Sequence, residues 1–224
     1  MKGPAVNRVR LWDLPVRIVH WSFAVLIPGL WWTAENHEMT WHMRLGTMLL
    51  ALLTFRILWG FAGSSTARFA SFVRGPGAVL RYFASLFGKG PHTPAIGHNA
   101  AGGWSVIALL TLMCLQVGLG LVSGDPDDGS AGPLNHLVGF EFAYDATEWH
   151  SGLVFNLILV FVGLHLAAIA FYRFVRRDNL IAPMVTGSRA VPQGLSGMSG
   201  VPAWRAFACA LVACGVVAWV WLGA

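Results

Sequence analysis

The chain has 224 residues and a formal net charge of +5; 56% of its residues are hydrophobic, only 11% are charged, and the mean hydropathy is +0.61. Soluble domains carry roughly 25% charged residues, so this composition excludes an ordinary soluble enzyme and indicates an integral membrane protein. A bilayer-crossing helix takes about 20 apolar residues, which allows about five spans and no sizeable soluble domain.

Residues 1–17 read as a cytoplasmic N-terminal segment. Arg8, Arg10, Asp13 and Arg17 interrupt it and no small-residue cleavage site follows, so it is not a cleavable signal peptide. The first predicted span is 18–34, with Pro28 expected to kink it. The second is 42–62. The linker 63–100 mixes aromatic and basic residues and is expected to lay an amphipathic helix on the inner membrane surface. The third span is 103–123 and the fourth 147–172, completing a four-helix core over 18–172. A cytoplasmic linker, 173–203, is rich in Gly, Ser and Pro over 187–202. A fifth span covers 204–222. Cys114, Cys209 and Cys214 all lie within spans, and none belongs to a C-x-x-C-H haem-attachment motif.

Charge sets the expected orientation. Thirteen of the fifteen basic residues fall in the N-terminal segment, the 63–100 linker, and the stretch from Arg173 to Arg205. Eight of the ten acids (Glu35, Glu38, Asp125, Asp127, Asp128, Glu141, Asp145 and Glu148) fall on the opposite side. Basic loops stay in the cytoplasm, so the N-terminus is expected inside and the C-terminus in the periplasm of a bacterial inner membrane. The positive charge is sorted by membrane side, and no nucleic-acid partner is implied.

This topology gives every histidine a depth. His20 lies near the inner end of span one, His42 at the outer end of span two, and His150 and His165 at the outer and inner ends of span four. Fifteen residues separate the last two, about 22 Å of helix rise and about a 60° offset, so both can face one bundle interior. A haem b takes two axial ligands from opposite sides of a flat ring, imidazole is a standard ligand, and facing helices supply such pairs. The depths give His20/His165 as the inner iron pair and His42/His150 as the outer one. A transporter or sensor of metal or haem could use the same histidines, although no Asp or Glu lies deep in a span.

Arg44 and Arg56 stand within span two. Arg56 is about 21 Å further in than His42. Either arginine can bind a haem propionate or simply snorkel to the nearest interface. His98 lies at the inner mouth of span three, where it could meet a propionate or a quinone headgroup; capping of the span by Asn99 explains the same local sequence. His37, His92 and His136 read as loop histidines. Most of the eleven tryptophans read as an interfacial belt.

Several motifs together resemble the prokaryotic cytochrome b561 family, including the b-type cytochrome subunits of nickel-iron hydrogenases. They are HW at His20–Trp21, H-x-x-L-G at His42–Gly46, WH at Trp149–His150, GLH at Gly163–His165, and RDNLIAPMVTG at Arg177–Gly187. The segment FRILWGFAGSSTARFASFVRGP followed by GHNAAGGW adds to the likeness, which covers roughly residues 8–187. The resemblance implies an all-α membrane bundle with two non-covalent haem b groups, ligated by His20, His42, His150 and His165. It also implies electron transfer between the quinone pool and a periplasmic redox partner, such as a c-type cytochrome or a hydrogenase-like subunit. A stand-alone quinone oxidoreductase fed by a small reductant such as superoxide is the alternative, so whether the chain is itself an enzyme stays open. The fifth span lies beyond the common core and could dock a partner or form a homodimer.

Overall fold

The computed structural model describes residues 6–87, 97–124 and 129–222. Lys2, Lys89, His92, Asp125, Asp127 and Asp128, placed above from the sequence, lie outside the described residues. Nine helices and two short strands are described: β1 (Val6–Arg10), α1 (Leu14–Glu35), α2 (Met39–Ala62), α3 (Phe69–Phe72), α4 (Pro76–Phe87), α5 (Ala100–Val122), α6 (Phe140–Glu148), α7 (Phe155–Phe174), α8 (Ile181–Thr186), β2 (Ser188–Pro192) and α9 (Trp204–Leu222). Five helical runs are long and apolar enough to cross a bilayer: α1, α2, α5, the continuous run from α6 through α7, and α9. Val25, Leu164 and Phe207 are among many large apolar side chains left exposed on them. Such a surface would aggregate in water and is what a lipid-facing bundle requires.

Local sequence explains the helix starts. Asp13 caps α1 by accepting the Val16 N–H at 2.8 Å, and Pro15 occupies the first turn, where its missing N–H costs nothing. Asn99 caps α5 by accepting from the Gly102 N–H at 2.7 Å. Its amide also donates to the hydroxyls of Tyr82 and Tyr172, which bond each other, so one side chain ties α4 to both α5 and α7. α1 is continuous through Pro28.

α2 packs on α1, α5 and α9, and α5 packs on α7. α7 does not pack closely along α1 or α2, and the space between them is where the candidate site lies. Leu26, Leu49, Leu53, Leu110 and Met113 form a buried cluster joining α1, α2 and α5.

The strands depart from the purely helical expectation. β1 pairs antiparallel with β2, Val6 opposite Pro192 and Arg10 opposite Ser188. The Gly187 carbonyl accepts from the N–H groups of Leu11 (2.8 Å) and Trp12 (3.2 Å). Gly187 itself has φ of +80°, a left-handed conformation that closes α8 and is natural for glycine. Arg17 donates to the Val185 carbonyl, and the Trp21 indole to that of Met184 at 3.2 Å. Arg189 holds Asp178 through an ion pair at 2.6 Å. The segment after α7 is thereby fastened across the first turns of α1.

Candidate functional site: two imidazole pairs

Four histidines come together as two pairs, one towards each end of the bundle. His20 on α1 and His165 on α7 have ring centroids 6.3 Å apart, with planes at 55°. His42 on α2 and His150, just before α7, have centroids 6.1 Å apart, with planes at 79°. Among the described residues no group of three or more His, Cys, Asp or Glu is placed to hold a metal ion by itself.

His150 sits in a π-helical turn, Trp149–Val154, that joins α6 to α7. Such turns are rare and concentrate at functional sites. The turn takes up about one extra residue, so the offset between His150 and His165 becomes about 40° in the other sense, rather than the 60° of a regular helix.

The second pair is held by backbone carbonyls. His42 Nδ1 lies 3.0 Å from the Leu30 carbonyl and 3.3 Å from the Thr33 hydroxyl. His150 Nδ1 lies 2.8 Å from the Gln116 carbonyl, while the Gln116 amide donates back to the His150 carbonyl at 2.8 Å. A carbonyl only accepts, so each Nδ1 carries the proton and each Nε2 keeps a free lone pair, the tautomer a metal-bound imidazole uses. Gly120 makes room for the ring: a Cβ there would stand 2.7 Å from His150 Cε1. A cavity of about 480 Å³ opens beside this pair, lined among others by His42, Gly46, Gln116, Gly120 and His150.

The first pair has different surroundings. His20 Nδ1, Arg17 Nε and Arg56 Nη1 are buried without a hydrogen-bond partner. Arg56 is only 6% exposed, and its guanidinium lies over the Phe69 ring at 5.3 Å. Asp13, 9% exposed, accepts the Trp59 indole N–H at 2.9 Å. His98 is packed between Trp12 and Phe72, with ring centroids at 4.7 and 4.6 Å, and its Nδ1 is also without a partner. Burial, then the nearby Arg56 charge, pushes its pKa down to about 3, so it stands as a neutral imidazole. Arg44 is placed elsewhere. It is exposed, its guanidinium stacks on Trp41 at 5.0 Å, and it is not part of the cavity lining beside His42.

A family model described as prokaryotic cytochrome b561 matches residues 11–187. The chain belongs to that family. No curated protein and no solved structure matches it. As a b561 cytochrome it is a multi-pass membrane protein of electron transfer that binds b-type haem. The family match ends at Gly187, before β2 and α9.

The residues fit that group. An imidazole nitrogen binds a first-row metal ion at about 2.1 Å, and the ring centroid lies about 1.1 Å behind it, so two opposed imidazoles on one iron have centroids about 6.4 Å apart. Both pairs meet this spacing within a few tenths of an ångström. The cavity volume falls within the roughly 300–1,000 Å³ of small-molecule sites. Sequence reasoning named the four histidines but missed the carbonyls of Leu30 and Gln116 and the space left by Gly120. The only signal was Gly120 itself, one turn beyond Gln116 on the same helix face, where a missing side chain allows close approach.

Proposed function

We propose that the chain is a diheme b-type cytochrome, with one haem iron between His20 and His165 and a second between His42 and His150. The observation that carries this reading is the pair of imidazole couples, each spaced for one iron, at opposite ends of the bundle. Haem iron supplies reversible one-electron chemistry when bound. The chain's part is to fix ring orientation through the Leu30 and Gln116 carbonyls, to exclude water with the apolar clusters of α1, α2 and α5, and to balance propionate charge. Arg56, buried with an unpaired N–H, suits a propionate of the first haem. Arg44 keeps no such role in this proposal.

In this reading the basic face is cytoplasmic, the acidic face periplasmic, and the core spans residues 18–172. Electrons pass between the quinone pool and a periplasmic redox partner, a c-type cytochrome or a hydrogenase-like subunit. The charge sorting supports the orientation, and the acidic face would attract a basic partner. The test is a pyridine haemochrome assay with reduced-minus-oxidised spectra on the full chain. About two haem b per wild-type chain are expected, falling toward one in His150→Ala and in His20→Ala, with different spectra remaining. A full complement retained in either variant refutes the ligand assignment.

A further inference from the structure

The fifth transmembrane helix lies outside the matched residues 11–187, yet α9 is packed more extensively on α2 than any other helix is. It is fastened at both ends. Near its start Arg205 donates to the Ala62 carbonyl at 3.3 Å. Near its end the Trp221 indole N–H donates to the Thr47 hydroxyl at 3.1 Å. Between these points Cys209 packs with Trp12, Val16 and Trp59, and Val220 with Leu50 and Leu134.

Trp221 does more than end a helix. It lines the same cavity as His42 and His150. Its partner Thr47 follows Gly46, also in the lining, and the position of Gly46's missing Cβ has open space around it. A tryptophan serving only the interfacial belt directs its N–H to headgroups and water. Here that N–H is taken by α2, which fixes the indole as a wall of the cavity.

We propose that α9 is a working part of the His42/His150 haem site, with Trp221 as a positioning residue that closes the cavity against lipid and water. The inference rests on the diheme reading given above. Its consequence is electrostatic. The oxidised haem carries one more positive charge than the reduced haem, and an apolar, water-free wall disfavours the more charged form. Trp221 therefore raises the potential of this haem and slows its escape, and leaves the His20/His165 haem unaffected.

The experiment uses the full-length protein in detergent and the variants Trp221→Ala, Trp221→Phe and Thr47→Val. Redox titration gives both midpoint potentials, and transfer to an excess of a haem-scavenging apoprotein gives the release rate of each haem. His150→Ala identifies which signal belongs to which site. In Trp221→Ala the potential of the His42/His150 haem falls and its release quickens on the order of tenfold, while the other haem keeps both values. Trp221→Phe, which keeps the apolar wall and loses the hydrogen bond, lies between, as does Thr47→Val. Unchanged values in all three variants, or equal shifts at both haems, overturn the role given to Trp221. Fewer than two haems in the wild type instead defeats the underlying diheme reading, so the two failures are distinguishable.

Discussion

Substituting Gly120 by alanine tests the second histidine pair through a residue that is not itself a ligand. The new Cβ would lie 2.7 Å from His150 Cε1 and 3.1 Å from Nδ1. Ordinary carbon contacts begin near 3.5 Å, so the ring has to retreat by about 0.8 Å. It is not free to do so, because Nδ1 is held on the Gln116 carbonyl at 2.8 Å and the Gln116 amide holds the His150 carbonyl in turn. Metal–ligand distances tolerate only about ±0.2 Å. Overpacking of this kind costs about 1–3 kcal/mol, which corresponds to roughly 5- to 140-fold weaker binding of the haem that His150 serves. Purified Gly120→Ala is expected to carry between one and two haems per chain by pyridine haemochrome, with the His20/His165 signal intact. Wild-type haem content together with an unchanged release rate would show that His150 is not placed as described, and the argument for this pair would fall.

Three further outcomes follow from the structure. Asp13→Ala removes the cap of α1 (about 1 kcal/mol) and strands the buried Trp59 indole N–H (about 1–3 kcal/mol), so thermal unfolding in detergent should begin at a clearly lower temperature; Asp13→Asn, which can still cap, should lose less. Arg56→Leu removes a buried cation, and its loss favours the oxidised form of a nearby haem. For a charge ~10 Å from the iron at an effective dielectric of ~20 the interaction is about 1.7 kcal/mol, or about 70 mV for one electron, so redox titration should show the His20/His165 potential falling by tens of millivolts with the other unmoved. Arg44→Ala should leave haem content and both potentials unchanged, since Arg44 stacks on Trp41 outside the cavity; a loss of either haem would contradict that placement.

The chain announces its membrane character because apolar runs of about 20 residues have few other uses, and the charges between them alternate in sign with the side of the membrane. Histidine depth was legible for the same reason: once the spans are set, 1.5 Å per residue converts position into height. What depends on tertiary pairing was not legible. The π-helical turn at Trp149–Val154 leaves no mark in apolar periodicity because α7, which follows it, is apolar nearly all round and gives no face against which a one-residue shift could be read. The pairing of β1 with β2 joins two short polar stretches far apart in sequence, neither with a strong strand pattern of its own. His98 could be placed at the inner mouth of span three, but its packing between Trp12 and Phe72 depends on contacts far apart in sequence. Trp221 looked like any other indole near a span end, and only the fold shows it both bonded across to Thr47 of α2 and lining the cavity of His42 and His150.

The strand pair also imposes an order on biogenesis. Arg8 and Ser188, whose side chains bond at 3.0 Å, lie 180 positions apart. A chain emerging from the ribosome at about 5–20 residues per second therefore carries β1 unpartnered for roughly ten to forty seconds. Every helix that bears a histidine of the two pairs has been synthesised before β2 exists. The fastening of α8 across the start of α1, one turn from His20, is thus unavailable to the nascent chain until both imidazole pairs have been synthesised.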